Sequence, residues 1–355
     1  MVDAGADSGI TFEELQLSTR NHGLPLEALR YAVTPPGLHY VLLHYDIPAV
    51  EAETFRLEIR GLVSRLLTLS LADLRGRPTV EITATMECAG NGRAHLSPHV
   101  VSQPWIQEAV GTASWRGTPL APLLGEAGLL DGVREVVFGG LDHGVEGEIE
   151  QRFERSLPVA EALGGDALLA WEMNGQRLAP QHGFPLRLVV PGWYGMTNVK
   201  WLTSITAVDR PFHGYQQSHS YRLRQSEDEE GEPLTRIRPR ALMIPPGIPE
   251  FLSRERRVPA GPCLLQGRAW SGWGQIAGVD VSTDGGETWE DAVLEPVAHL
   301  WAWRAWSYRW EATPGRHSLA CRARDGAGNT QPLEALWNLG GYANNAVQHV
   351  AVTVQ

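Results

Sequence analysis

At 355 residues, with 43% hydrophobic and 20% charged residues, the chain is long enough for two globular domains and too apolar to be disordered by default. Its formal charge of -11 argues against nucleic acid as a partner, because a phosphate backbone rewards a basic face, but leaves room for a small anion held by a local cluster of arginines. Three scattered cysteines, Cys88, Cys263 and Cys321, are too few for a disulfide framework, and no CxxC spacing marks a zinc or iron–sulfur site.

The first residues carry no basic region, apolar core or twin arginine, and no segment is apolar enough to span a membrane. A cytoplasmic protein that does not engage membranes is therefore expected, or a periplasmic one if a leader has been removed. Residues 18–23, with Arg20, Asn21 and His22, read as a polar surface loop. Phe55, Leu57 and Ile59 alternate with polar residues up to Gly61, which predicts a strand, and Ser70 with Asp73 three residues on predicts a short capped helix.

Next, Ile82, Ala84, Met86 and Cys88 alternate with Glu81, Thr83, Thr85 and Glu87, which predicts a half-buried strand delivering one sulfur to a loop. That loop, Ala89-Gly90-Asn91-Gly92, tolerates positive φ and close backbone approach, and Arg93 follows it. Taken alone, Cys88 reads first as a small hydrophobe at a strand end. The other reading is chemical: a thiolate suits a soft, redox-active metal, and a neighbouring arginine keeps its charge at any working pH and can face an oxyanion.

Further along, residues 134–138 read as a strand running into a loop over 139–144. Residues 156–165 read as a two-turn helix, and residues 167–178 as a hairpin turning at Asn174-Gly175 in a type I' turn. Arg187, five residues after His182, and Lys200 are candidate clamps for a phosphate; alone, each also reads as a solvated charge at a strand edge. The acidic run Glu227 to Glu230 with Glu232 reads as a solvated loop.

From about Arg236 prolines break the chain and short alternating strands begin, so the domain boundary is placed between 235 and 236. Strands over 264–270, 278–282, 305–310, 318–324 and 349–354, with a turn at 283–286, predict an immunoglobulin-like β-sandwich. The fold class expected is α+β, a mixed α/β domain over 1–235 followed by that sandwich over 236–355. Alternation places Arg304 on one face with Trp306, Tyr308 and Trp310, where a permanent cation needs an anionic or π partner.

The run Met86-Glu87-Cys88-Ala89-Gly90-Asn91, then Arg93, with Trp105 and Val110-Gly111-Thr112-Ala113 downstream, resembles the molybdenum-binding signature of the sulfite oxidase family. Segments around Arg20-Asn21-His22, His182-Gly183-Phe184-Pro185, Val199-Lys200-Trp201-Leu202, Trp301-Ala302-Trp303-Arg304 and Trp337 to Asn345 resemble other family motifs in the same order. The resemblance implies a molybdopterin-binding domain, a dimerisation domain and a homodimer. It implies Cys88 as the protein's ligand to molybdenum, with Asn21, His22, Arg93, Asp142, His182, Arg187 and Lys200 holding the molybdopterin. Arg20, Arg93 and Arg304 would trap the substrate oxyanion, with Trp105 and Tyr221 as hydrogen-bond donors.

The activity so implied is oxidation of sulfite to sulfate by oxygen-atom transfer, with electrons leaving to an external acceptor such as cytochrome c or oxygen, since no heme domain is expected. Alternatives are nitrate reductase-type chemistry, oxidation of another sulfur compound such as a protein-bound sulfane, or a non-catalytic cofactor-binding protein. Arg304 in its tryptophan context favours sulfite over nitrate. The chain departs from many eukaryotic members at Gly92, where they carry a second arginine.

Overall fold

A computed structural model describes residues 9–355, and what residues 18–23 become shows how local chemistry starts the fold. Thr11 accepts from the Glu14 amide while the Glu14 carboxylate reaches back to the Thr11 amide, a capping box that starts a helix over Phe12–Arg20. The expected loop is thus the last turn of this helix and its C-terminal cap, Asn21.

The first sheet has the order Leu67–Ser70, Arg56–Gly61, Leu202–Val208, Glu135–Glu146, Ile149–Pro158, with only Arg56–Gly61 and Leu202–Val208 parallel. Leu57 and Ile59 are fully buried, as their alternation predicts, and Ser70 with Asp73 forms a second capping box at Leu71–Arg75. Residues 139–144 are not a loop. Pairing with Ile149–Pro158 carries the strand through them to Glu146, with an irregularity in register between Gly139 and His143. The same strand takes up Ser156 to Pro158, so the helix that follows is only Val159–Gly164.

The second sheet holds the cysteine strand. Val80–Glu87 pairs with Val110–Pro119, which pairs with Leu168–Met173; Leu168–Met173 pairs in turn with Gln176–Arg177 and with Arg187–Val189. Asn174 and Gly175 have φ of 52° and 72°, the two positive values a type I' turn requires. Val80–Glu87 is buried on both faces from Thr83 onward rather than half-buried, because the second domain covers it. There the Thr85 amide donates to the Trp301 carbonyl at 2.9 Å and the Trp303 amide to Thr85 Oγ1 at 2.7 Å.

The second domain starts its strands at Arg240–Met243 and packs two sheets, of four and six strands, face to face. Trp306, Trp310, Val279, Leu319 and Cys321 fill the space between them. Cys263 and Cys321 are free thiols. Among the described residues, no helix is long and apolar enough to cross a membrane.

Candidate active site

Strand Val80–Glu87 ends at the edge of a cavity, and Cys88 lines its wall. The loop after the strand is tightly wired: the Cys88 amide donates to Ala109 O at 2.9 Å, and the Asn91 amide to Cys88 O at 3.0 Å. Gly92, at φ 92°, turns the chain into a short 3-10 segment that begins with Arg93. A Cβ on Gly90 would lie 2.7 Å from the Arg93 guanidinium, so glycine there lets the cation fold back over the loop.

Burial pushes the Cys88 thiol above its ordinary value, and Arg93, the Gly90 amide and Trp105 partly offset this by favouring the thiolate. Arg93 is 5% exposed; its Nε donates to Gly340 O and one Nη to Gln103 O, both at 3.1 Å, and it lies 5.1 Å over the Tyr342 ring. Its partners are carbonyls and a π face, which satisfy N–H groups without cancelling the charge. Trp105 packs against Cys88.

The far end of the cavity is built by the segment 182–200. Arg187 is buried, donating to the carbonyls of His182 at 3.0 Å and Asn198 at 3.1 Å, and stacks 4.7 Å from Trp115. Burial lowers its pKa to about 10, so it stays charged at neutral pH. Lys200 donates to Leu42 O at 2.8 Å; its burial pushes the ammonium down, with Arg187 adding to that, while buried Asp142 is pushed up and Lys200 partly offsets it. His182 is held neutral by burial, and its Nε2 is unpartnered, as is Asp142 Oδ1. Tyr221 also lines the cavity, in a left-handed conformation at φ 53°, and Arg155 lies 5.7 Å under its ring.

Four expected residues lie elsewhere. Arg20 is exposed and pairs with Asp46 at 3.1 Å, and His22 is exposed on the strand bridge to Val41. Asn21 is buried, but as a fastener: its side chain accepts from the Leu43 amide at 2.7 Å and donates to Gln103 at 3.0 Å. None of the three lines the cavity, although the triplet pairs with the segment 41–45, through His22 with Val41, Asn21 with Leu43 and Arg20 with the Tyr45 carbonyl. Arg304 is half-buried, donating to Glu295 O at 2.6 Å and Ile276 O at 2.8 Å within its own domain, and does not line the cavity.

In place of that triplet, residues 39–42 and His44 line the cavity. His39 and His44 are both held neutral by burial, at about 4 and about 3; His39 Nε2 is unpartnered, and His44 Nε2 shares a short hydrogen bond with the Tyr221 hydroxyl. Tyr40, half-buried, also lines the cavity and stacks on His39 with ring centroids 5.2 Å apart. The signal was in the sequence: His39-Tyr40 and His44-Tyr45 punctuate an otherwise apolar run, which surface packing alone does not ask for.

This lining tests what the cavity suits. Among the described residues no group of three His, Cys, Asp or Glu side chains could hold a metal ion, so a metal at Cys88 must bring its other ligands with it. Buried polar atoms at His39, His182 and Asp142 lack partners, and a buried cation, Arg187, and a half-buried one, Lys200, stand at the far end. The residues present therefore fit an anionic, heteroatom-rich organic group that carries a metal.

Residues 44–216 match the family model described as an oxidoreductase molybdopterin binding domain, and residues 242–355 one described as a Mo-co oxidoreductase dimerisation domain. The chain is 34% identical to mitochondrial sulfite oxidase of Mus musculus, over 99% of this chain and 68% of that protein. It is 31% identical to nitrate reductase [NADH] 2 of Phaseolus vulgaris, over 93% of this chain but only 40% of that one. The crystal structure of the sulfane dehydrogenase SoxCD from Paracoccus pantotrophus superimposes with a TM-score of 0.81 at 26% identity, covering 100% of this chain and 95% of that one.

Proposed function

This chain belongs to the sulfite oxidase family of molybdopterin oxidoreductases, and we propose that it oxidises sulfite to sulfate and passes the two electrons to an external acceptor. The observation that carries this reading is Cys88, set on the wall of a cavity whose unpartnered polar atoms and cations match the cofactor, with Arg93 beside the sulfur. When bound, the molybdenum cofactor supplies the oxygen atom and takes up the two electrons; water restores the oxygen and releases two protons.

The chain's residues divide that work by position. Cys88 holds the metal end, while Arg187 and Lys200 compensate the phosphate end and His39, His182 and Asp142 offer partners to the polar groups between. Arg93 draws and orients the anion, as a charge with no carboxylate partner among its hydrogen bonds. The Tyr221–His44 pair holds a proton between a phenol and a neutral imidazole at the cavity wall. The second domain is the natural pairing surface for a homodimer.

One observation favours a second substrate. With Arg20 and Arg304 elsewhere, Arg93 alone of the three expected arginines stands at Cys88, a weaker trap for a dianion, which suits a less charged sulfur group such as the sulfane named for SoxCD. The decisive experiment measures molybdenum and pterin in the purified protein, then sulfite-dependent ferricyanide reduction by the parent and by Cys88→Ser. Stoichiometric molybdenum with turnover lost in Cys88→Ser is expected; a metal-loaded Cys88→Ser protein that still turns over sulfite sinks the assignment. Turnover of a persulfide substrate but not of sulfite selects the second reading.

A further inference from the structure

Glu87, the residue before Cys88, is a carboxylate at 2% exposure, in a position where an isolated charge would be costly. Its partners come chiefly from the second domain. Arg240, itself 2% exposed, places Nη1 3.1 Å from Oε1, and the Trp270 indole donates to Oε2 at 2.8 Å. The remaining partner is local: the Asn91 amide group donates to Oε1 at 3.0 Å, and Asn91 Oδ1 accepts from the Ala109 amide at 3.1 Å.

The same grip extends over the whole cysteine loop. Arg240 donates to the carbonyls of Asn344 and, at 3.4 Å, Asn91; Asn344 donates to Gly92 O at 2.7 Å; and the Ala343 amide donates to Ala89 O at 2.7 Å. Every second-domain residue in this set contacts the backbone or side chains of residues 87–92, and Glu87 and Arg240 do not line the cavity that Cys88 faces.

We propose that the buried Glu87–Arg240 pair, with Trp270 and Asn344, is a clamp by which the second domain sets the position of the Cys88 sulfur. This rests on Cys88 being the metal ligand of the proposed activity. Glu87 and Arg240 are positioning residues: neither touches the substrate, and their effect passes through the sulfur they aim. The second domain, whose family name concerns dimerisation, thereby becomes part of the metal site.

The test compares Arg240→Met, Trp270→Phe and the double variant Glu87→Gln/Arg240→Met with the parent, each purified with its cofactor. Read per molybdenum, kcat of Arg240→Met falls by about tenfold to a hundredfold with the sulfite KM within about twofold, because a misplaced reacting centre costs rate rather than uniform binding. The Mo(V) electron paramagnetic resonance g-values shift with it. The double variant recovers part of both, since no buried carboxylate is then left without its cation. Trp270→Phe, which keeps both charges, moves the same readouts less and serves if Arg240→Met does not fold. A lowered melting temperature with unchanged g-values and kcat overturns the clamp and leaves a structural pair. Should the parent hold no molybdenum, the functional reading has failed by itself; the clamp is then judged by Cys88 alkylation in the metal-free chain, expected to be faster in Arg240→Met, and an unchanged rate overturns it.

Discussion

Arg93 and Arg304 carry the same charge on the same side chain, and their surroundings separate them. Arg304 spends its N–H groups on two carbonyls within the sandwich, whereas Arg93 folds over a glycine loop and lies close enough to Cys88 to favour its thiolate. Loss of a charge-assisted contact to a bound anion weakens binding by about 1.5–3 kcal/mol. Arg93→Met is therefore expected to raise the sulfite KM by roughly tenfold or more, and Arg304→Met to leave it within about twofold while lowering stability. Steady-state kinetics on both variants checks this, and the reverse ranking would return Arg304 to the substrate pocket.

Two glycines at turns show how differently elements bear on the site. Gly175, at φ 72° in the hairpin turn, has no heavy atom within 4 Å of where a Cβ would sit. Gly175→Ala then costs only the left-handed backbone strain, about 1 kcal/mol by urea unfolding, with cofactor content unchanged. Gly183, at φ 98° after His182, would place its Cβ 3.0 Å from Lys200 Cβ and 3.2 Å from Arg187 Cβ. Gly183→Ala is expected to push both cations off the cavity and to lower the molybdenum bound per chain as well as stability. Full cofactor content in Gly183→Ala would show that this turn does not set their positions.

Across the whole molecule, the cavity gathers three histidines that burial keeps neutral, His39, His44 and His182. Their folded pKa values lie below the unfolded 6.5, with His39 at about 4 and His44 at about 3. At pH between those limits the unfolded chain binds protons that the folded chain refuses. Stability is therefore full above the unfolded value and is lost as pH falls from there toward the folded values, by up to about 1.4 kcal/mol per pH unit for each histidine. Asp142, raised by burial, works with the opposite sign and offsets part of this. Calorimetry of the cofactor-free protein from neutral pH to pH 4 should show a steadily falling melting temperature, and His39→Gln a shallower fall. A flat profile would mean that these rings are not buried and neutral.

What the amino-acid order determined was local. The period-two run into Cys88, the Asn174-Gly175 turn, the Ser70–Asp73 cap and the sandwich strands each depend on residues a few places apart, whose spacing and turn chemistry read directly. Of the expected site residues, Cys88, Asp142, His182, Arg187, Lys200 and Tyr221 line one cavity, and Arg93 and Trp105 lie near Cys88 without lining it. The same locality misled at Arg20-Asn21-His22, where a capping box hidden in Thr11 and Glu14 made a helix end of an apparent loop, and at Arg304, where alternation gave a face but not what that face meets. Only the tertiary structure brought His39 and His44 to the cavity, left Arg20 and Arg304 outside it, and bolted Glu87 to Arg240 more than 150 residues away. Which side chains converge depends on strand register and on how two domains pack, and both are settled by burial summed over the whole core rather than by any window of neighbouring residues.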